Sequence, residues 1–124
     1  MSLSGVRGIR GAITVQENLE DLILAAAEAL LQEIIKANDL SREDIASIIF
    51  TVTDDLNAAF PAKAARQMGL VQPALLCTRE IPVPGALPRC IRVLLLVNTP
   101  RTQEEIKHVY LGEAACLRPD LASQ

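Results

Sequence analysis

Apolar residues recur at helical spacing through the first third of the chain: Leu19, Ile23, Ala26, Ala27, Leu30, Ile34 and Ile35 share one face. This predicts one long amphipathic helix reaching Ala37. Asn18 with Asp21 resembles a capping box, Glu20 and Asp21 suit a helix N-terminus, and Asn38 is the expected stop. Ahead of it, 6–15 reads as a strand with a glycine at every third place: Gly5, Gly8 and Gly11. Glycines in such a pattern mark bulges or close backbone approach. Ser41 with Asp44 predicts a helical turn, and the β-branched run 46–53 a buried strand. Asp54, Asp55 and Asn57 break the pattern. Pro61 fits the first position of a second, short helix that Gly69 ends. A strand over 75–80 lies between Pro73 and Pro82, with a rigid turn at 82–85. Over 90–98 the alternation predicts a central strand: Ile91, Val93, Leu95 and Val97 on one face, Arg92, Leu94, Leu96 and Asn98 on the other. Thr102 with Glu105 predicts another capped turn, 106–111 an extended segment, and 117–124 a mobile tail; 1–5 reads as a loose start.

The sum is an α+β domain over 6–121, a mixed sheet of about five strands packed on one long helix with short helices beside it. The 124 residues hold three aromatic side chains, Phe50, Phe60 and Tyr110, so the core is aliphatic. One helix cannot cover both faces of such a sheet, and the second apolar face calls for another chain. The longest apolar stretch, 91–97, is interrupted by Arg92 and is far short of the ~20 residues a membrane span needs. Without a secretory leader pattern either, the chain reads as cytosolic, with no membrane partner.

Net charge is −3, unevenly spread. Acids dominate the first half, and bases (Lys63, Arg66, Arg79, Arg89, Arg92, Arg101, Lys107, Arg118) outnumber acids in the second. An acidic chain with few aromatics and no basic tract is a poor nucleic-acid binder, whereas a locally basic half suits a small anionic ligand. Cys77, Cys90 and Cys116 share no metal-type spacing, and His108 is the single histidine, which argues against a zinc site or a disulfide framework.

Arg92 interrupts a strand otherwise fit for burial, and a buried cation needs an anionic partner. Either it pairs with Glu80 on a neighbouring strand or it receives an anion in a cleft. Lys63 and Arg66 share a face of the short helix, a solvated face or an anion-binding one. Arg10 sits in a glycine-flanked strand where the backbone can approach a ligand. Glu80 can accept a ligand hydroxyl, Tyr110 offers a phenol, and Cys77 has no evident base. No Ser–His–Asp set, phosphate loop or metal triad can be assembled. Such a set recognises a multiply charged small molecule. Catalysis by it works through positioning and charge stabilisation.

Residues 6–15 (Val-Arg-Gly-Ile-Arg-Gly-Ala-Ile-Thr-Val), 60–66 (Phe-Pro-Ala-Lys-Ala-Ala-Arg), 90–93 (Cys-Ile-Arg-Val), 108–111 (His-Val-Tyr-Leu) and 117–121 (Leu-Arg-Pro-Asp-Leu) resemble the monofunctional chorismate mutases of the trimeric α/β type. The resemblance implies a pseudo-α/β-barrel homotrimer with sites between subunits. It also implies an intramolecular Claisen rearrangement of chorismate to prephenate, without cofactor or metal. By position, Arg92 resembles the arginine on the ether oxygen and a carboxylate. Arg10 and Tyr110 resemble a second carboxylate clamp, and Glu80 the acceptor of the ring hydroxyl with Cys77 beside it. Phe60, Ala62, Lys63, Arg66 and Leu75 match a wall given by the adjacent subunit, and Leu117 and Arg118 a closing tail. Leu76 stands where the family can carry a polar residue. Two other classes share a carboxylate-anchoring arginine: a trimeric imine deaminase, whose motifs are not visible, and a non-catalytic module binding a carboxylate metabolite.

Overall fold

A computed structural model of the chain describes residues 4–117. Strand β1 (Gly5–Thr14) leads into the long helix α1 (Glu20–Ala37). A 3-10 turn at Arg42–Asp44 then precedes β2 (Ile45–Val52). A short helix α2 (Ala62–Gln67) comes before β3 (Ala74–Arg79). The rest is β4 (Cys90–Thr99), a 3-10 turn at Gln103–Glu105, β5 (Val109–Leu111) and a 3-10 turn at Gly112–Leu117. The strands form one mixed sheet in the order β3-β2-β4-β1-β5. The central β4 runs antiparallel to β1 and β2, while the outer β3 and β5 run parallel to their inner neighbours.

Helix α1 covers one face of this sheet. Its stripe Ile23, Ala27, Leu30, Leu31 and Ile34 is fully buried against Ile9, Ile48, Phe50, Ile91, Val93, Leu95 and Val97. Burying each large aliphatic side chain contributes roughly 1.5–3 kcal/mol, so this layer dominates the stability of the fold. Gly11 lets the helix approach closely. A Cβ there would lie 2.8 Å from Ile34 Cδ1 and 3.2 Å from the carbonyl oxygen of Val109. The opposite face carries no helix layer among the described residues: the 3-10 turn at Gly112–Leu117 packs over Ala12 and Cys90 at one end, and the rest is open. Leu76 is 59% exposed, Leu94 38% and Val6 58%. This is the bare apolar face that one helix leaves behind.

Two helix starts differ from the sequence pattern. The N-cap of helix α1 is Leu19, which offers no side-chain cap. Asn18 is drawn away: its Oδ1 accepts the N–H groups of Asn57 and Ala58 at 3.0 Å each, and its Nδ2 donates to Asn57 Oδ1 at 2.7 Å. An amide side chain can serve a distant loop's orphan donors as well as its own helix. Pro61 is the residue before α2 rather than its first, with φ already helical at −60°. The Thr102–Glu105 capping box forms as the pattern predicts. The Thr102 N–H and hydroxyl hold the Glu105 carboxyl below its ordinary range.

The extended segment before residue 112 pairs only over Val109–Leu111, because side chains satisfy the rest of the β1 edge. Gln103 Oε1 accepts from Gly8 N–H at 3.0 Å while its Nε2 donates to Gly8 O at 2.7 Å, and His108 Nδ1 accepts the Arg10 N–H at 2.9 Å. The buried Asn38 ties the same segment to the end of α1, donating to Ile34 O and Lys107 O and accepting from Lys107 N–H. Leu117 closes the last 3-10 turn and packs on Ala12, Cys90 and Ala114. The remainder of the expected tail, Arg118 included, lies outside the described residues.

Candidate active site

The strand registers gather the charged residues on the uncovered face. On β4, Arg92 stands opposite Ala12 of β1 and Thr51 of β2. Arg10 lies two residues before Ala12 on β1, and Tyr110 of β5 pairs with Ala12 from the other side. Glu80 follows β3 directly, its N–H bonded to Val52 O at 2.9 Å. Together Arg10, Thr51, Glu80, Arg92, Leu94 and Tyr110 line a cleft of about 270 Å³.

Arg92 and Glu80 form a loose pair, with Nε 3.7 Å from Oε2. That exceeds hydrogen-bond reach. Glu80 Oε2 instead accepts a hydrogen bond from the Thr51 hydroxyl. Arg92 Nε is buried and makes no hydrogen bond, although the side chain as a whole is 42% exposed. A buried, unpartnered donor on a cation marks a place where an anion belongs. Both readings of Arg92 are thus partly realised: it neighbours Glu80, yet its Nε makes no hydrogen bond. Beneath it, burial pushes the Cys90 thiol up from its ordinary value, against the pull of Arg92. That thiol is therefore a neutral packing group. Two guanidinium groups against one carboxylate leave the cleft with a surplus positive charge.

A second cleft, of about 500 Å³, opens beside α2 and shares no lining residue with the first. Phe60, Lys63, Arg66, Cys77 and Arg79 line it, along with Glu20. Lys63 Nζ pairs with Glu20 at 3.0 Å, and Arg79 with Asp54 at 2.5 Å. Arg66 makes no ion pair among the described residues, and Phe60 is 72% exposed. An exposed phenyl ring and a guanidinium with no ion pair thus line the same cleft.

The sequence-selected residues therefore fall into two groups. Arg10, Glu80, Arg92 and Tyr110 come together, and Leu117 packs on the same small cluster (Ala12, Cys90, Ala114) as Tyr110. Phe60, Lys63 and Arg66 come together elsewhere. Cys77, expected beside Glu80, lines the second cleft: three residues apart on an extended chain, the two side chains point to opposite faces, and Cys77 pairs with the helix-facing Phe50. Ala62 is buried in the first turn of α2 and Leu75 packs against the core, so neither lines either cleft. Sequence reading missed Thr51, whose hydroxyl is indistinguishable from packing within a β-branched run. It also gave no site role to Arg79, whose partner Asp54 lies 25 residues away, just past the end of β2.

The sequence model of the family described as chorismate mutase type I matches residues 6–121. Chorismate mutase AroH of Thermus thermophilus is 56% identical over 119 residues, covering 95% of this chain and 98% of the relative. Its namesake in Bacillus subtilis (strain 168) is 43% identical over 118 residues, covering 94% and 93%. The solved structure of a chorismate mutase from Clostridium thermocellum Cth-682 superposes with a TM-score of 0.87 at 54% identity, covering 88% of this chain and 97% of that one.

Proposed function

This chain belongs to the type I chorismate mutases, enzymes that isomerise chorismate to prephenate on the way to phenylalanine and tyrosine, and we propose that it does so in a site assembled from two copies of itself within a homotrimer. Family membership sets aside the imine-deaminase and metabolite-sensor readings. The observation that carries the proposal is the buried, unpartnered Nε of Arg92 in a positively charged cleft.

Chorismate is a dianion with an enolpyruvyl ether and a ring hydroxyl. Its rearrangement breaks one C–O bond and forms one C–C bond within a single molecule, and no proton is transferred. The protein's task is to hold the folded conformer and to stabilise the negative charge that grows on the ether oxygen. In this reading Arg92 faces that oxygen and a carboxylate. Arg10 and Tyr110 hold a carboxylate, and Glu80 accepts the ring hydroxyl. The second cleft of a neighbouring copy, with Phe60, Lys63 and Arg66, closes the site.

Two features support the assembly: the bare face carrying Leu76, Leu94 and Val6, and the separation of complementary half-sites into different clefts of one chain. A cytoplasmic location fits the free thiols Cys77, Cys90 and Cys116, and among the described residues no helix is long and apolar enough to cross a membrane. Light scattering beside an assay of chorismate consumption tests the reading. A trimer that forms prephenate is expected. A fully active monomer would overturn the shared site.

A further inference from the structure

We propose that Thr51 is a positioning residue for this reaction: its hydroxyl holds the Glu80 carboxylate off Arg92, keeping the guanidinium free for substrate. The inference rests on the assignment of Glu80 and Arg92 to the active site. Thr51 stands directly across from Arg92 on one side and Thr78 on the other. Its hydroxyl donates to Glu80 Oε2, the oxygen that lies 3.7 Å from Arg92 Nε. Glu80 is also anchored through its backbone, N–H to Val52 O at 2.9 Å. Both tethers run to β2, not to the strand that carries Arg92.

Without the hydroxyl, that oxygen has Arg92 Nε 3.7 Å away, buried and without a hydrogen bond of its own. The two would close into a charge-assisted pair, stronger than the bond it replaces. The arginine's charge would then be answered before substrate arrives, and its donors would be turned from the ether oxygen toward Glu80. Threonine suits the task because a β-branched side chain is stiff at χ1, so the hydroxyl is held in one direction. Neither the charge pattern nor the spacing of the sequence exposes this role.

The test replaces Thr51 by Val, which keeps shape and strand preference without the hydroxyl, by Ala, and by Ser, which restores the hydroxyl. Each is made in the native chain and with Glu80→Gln. Thr51→Val and Thr51→Ala should keep the assembly state of the native protein and lower kcat by about tenfold, more than they change KM, as a lost hydrogen bond to a charged group does. Thr51→Ser should restore kcat to within about twofold, and with Glu80→Gln present Thr51→Val should cost less than about twofold further, because residues acting through one another are non-additive. Native kcat in both Thr51→Val and Thr51→Ala, alongside an impaired Glu80→Gln, would overturn the positioning role alone. Equal losses with and without Glu80 would overturn it too, since Thr51 would then act elsewhere. Native activity in Glu80→Gln would remove the site assignment and this inference with it.

Discussion

Converting Arg92 to citrulline removes its charge while keeping shape and planarity. The structure supplies the terms of the estimate. Arg92 sits on the central strand, its Nε is buried, and its side chain is 42% exposed before any second copy covers it. An effective dielectric near 20 is therefore appropriate, and a unit cation ~3 Å from half a negative charge then gains roughly 3 kcal/mol. Each 1.36 kcal/mol is tenfold in rate, so losing the charge alone should slow turnover by about a hundredfold. Arg92→Ala also loses the hydrogen bonds and should cost at least several hundredfold, in line with removal of a preorganised donor to a developing oxyanion. Arg92→Lys should recover little, because an ammonium on a flexible stem cannot reproduce a fork shared between ether oxygen and carboxylate. The assay is single-turnover conversion of chorismate, with binding of an unreactive dicarboxylate measured separately. A citrulline variant that assembles, binds and turns over at near-native rate would refute the electrostatic account and leave conformational restriction to explain the rate.

Gly11→Ala should destabilise the protein by about 1–3 kcal/mol, the usual cost of overpacking, because the new methyl meets Ile34 and the Val109 carbonyl of the neighbouring strand. Urea unfolding reads it directly, and an unchanged midpoint would show that α1 does not press on β1 there. Stability should also fall in alkali through Cys90. Burial raises its pKa above the ordinary 9.0, so as pH rises the unfolded thiol ionises first, the native state binds more protons, and unfolding is favoured. The decline as pH rises past about 9 should be shallower in Cys90→Ala, and identical slopes would show the thiol to be uninvolved.

Much of the architecture was legible because its signals are local. The 3.6-residue stripe of α1 and the alternation along β4 report the same burial from two periodicities, and the surplus apolar face followed from counting helices against strands. Arg92 was legible because a cation in an aliphatic strand is an anomaly. The misses arise where a side chain serves a distant partner. Asn18 reads as a helix cap because its local spacing is right, but it binds Asn57 and Ala58, some forty residues away. The 106–111 segment reads as a strand along its length, but Gln103 and His108 side chains take its place beside Gly8 and Arg10. Cys77, set beside Glu80 by the family resemblance, is turned by strand alternation to the face that lines the second cleft. Thr51 carries no local signal, since its partner Glu80 lies 29 residues away, just past the end of β3.

The claim that one chain holds two complementary half-sites is tested most directly by mixing two crippled variants. Arg92→Ala disables the first cleft and Arg66→Ala the second. Each alone should be poorly active at low substrate. Unfolded together in equal amounts and refolded, random trimers should place an intact Arg92 half against an intact Arg66 half at about a quarter of their interfaces, and activity should return to about that fraction of native. No recovery in mixed trimers would mean that each site is complete within a single chain, and the shared-site account would be contradicted.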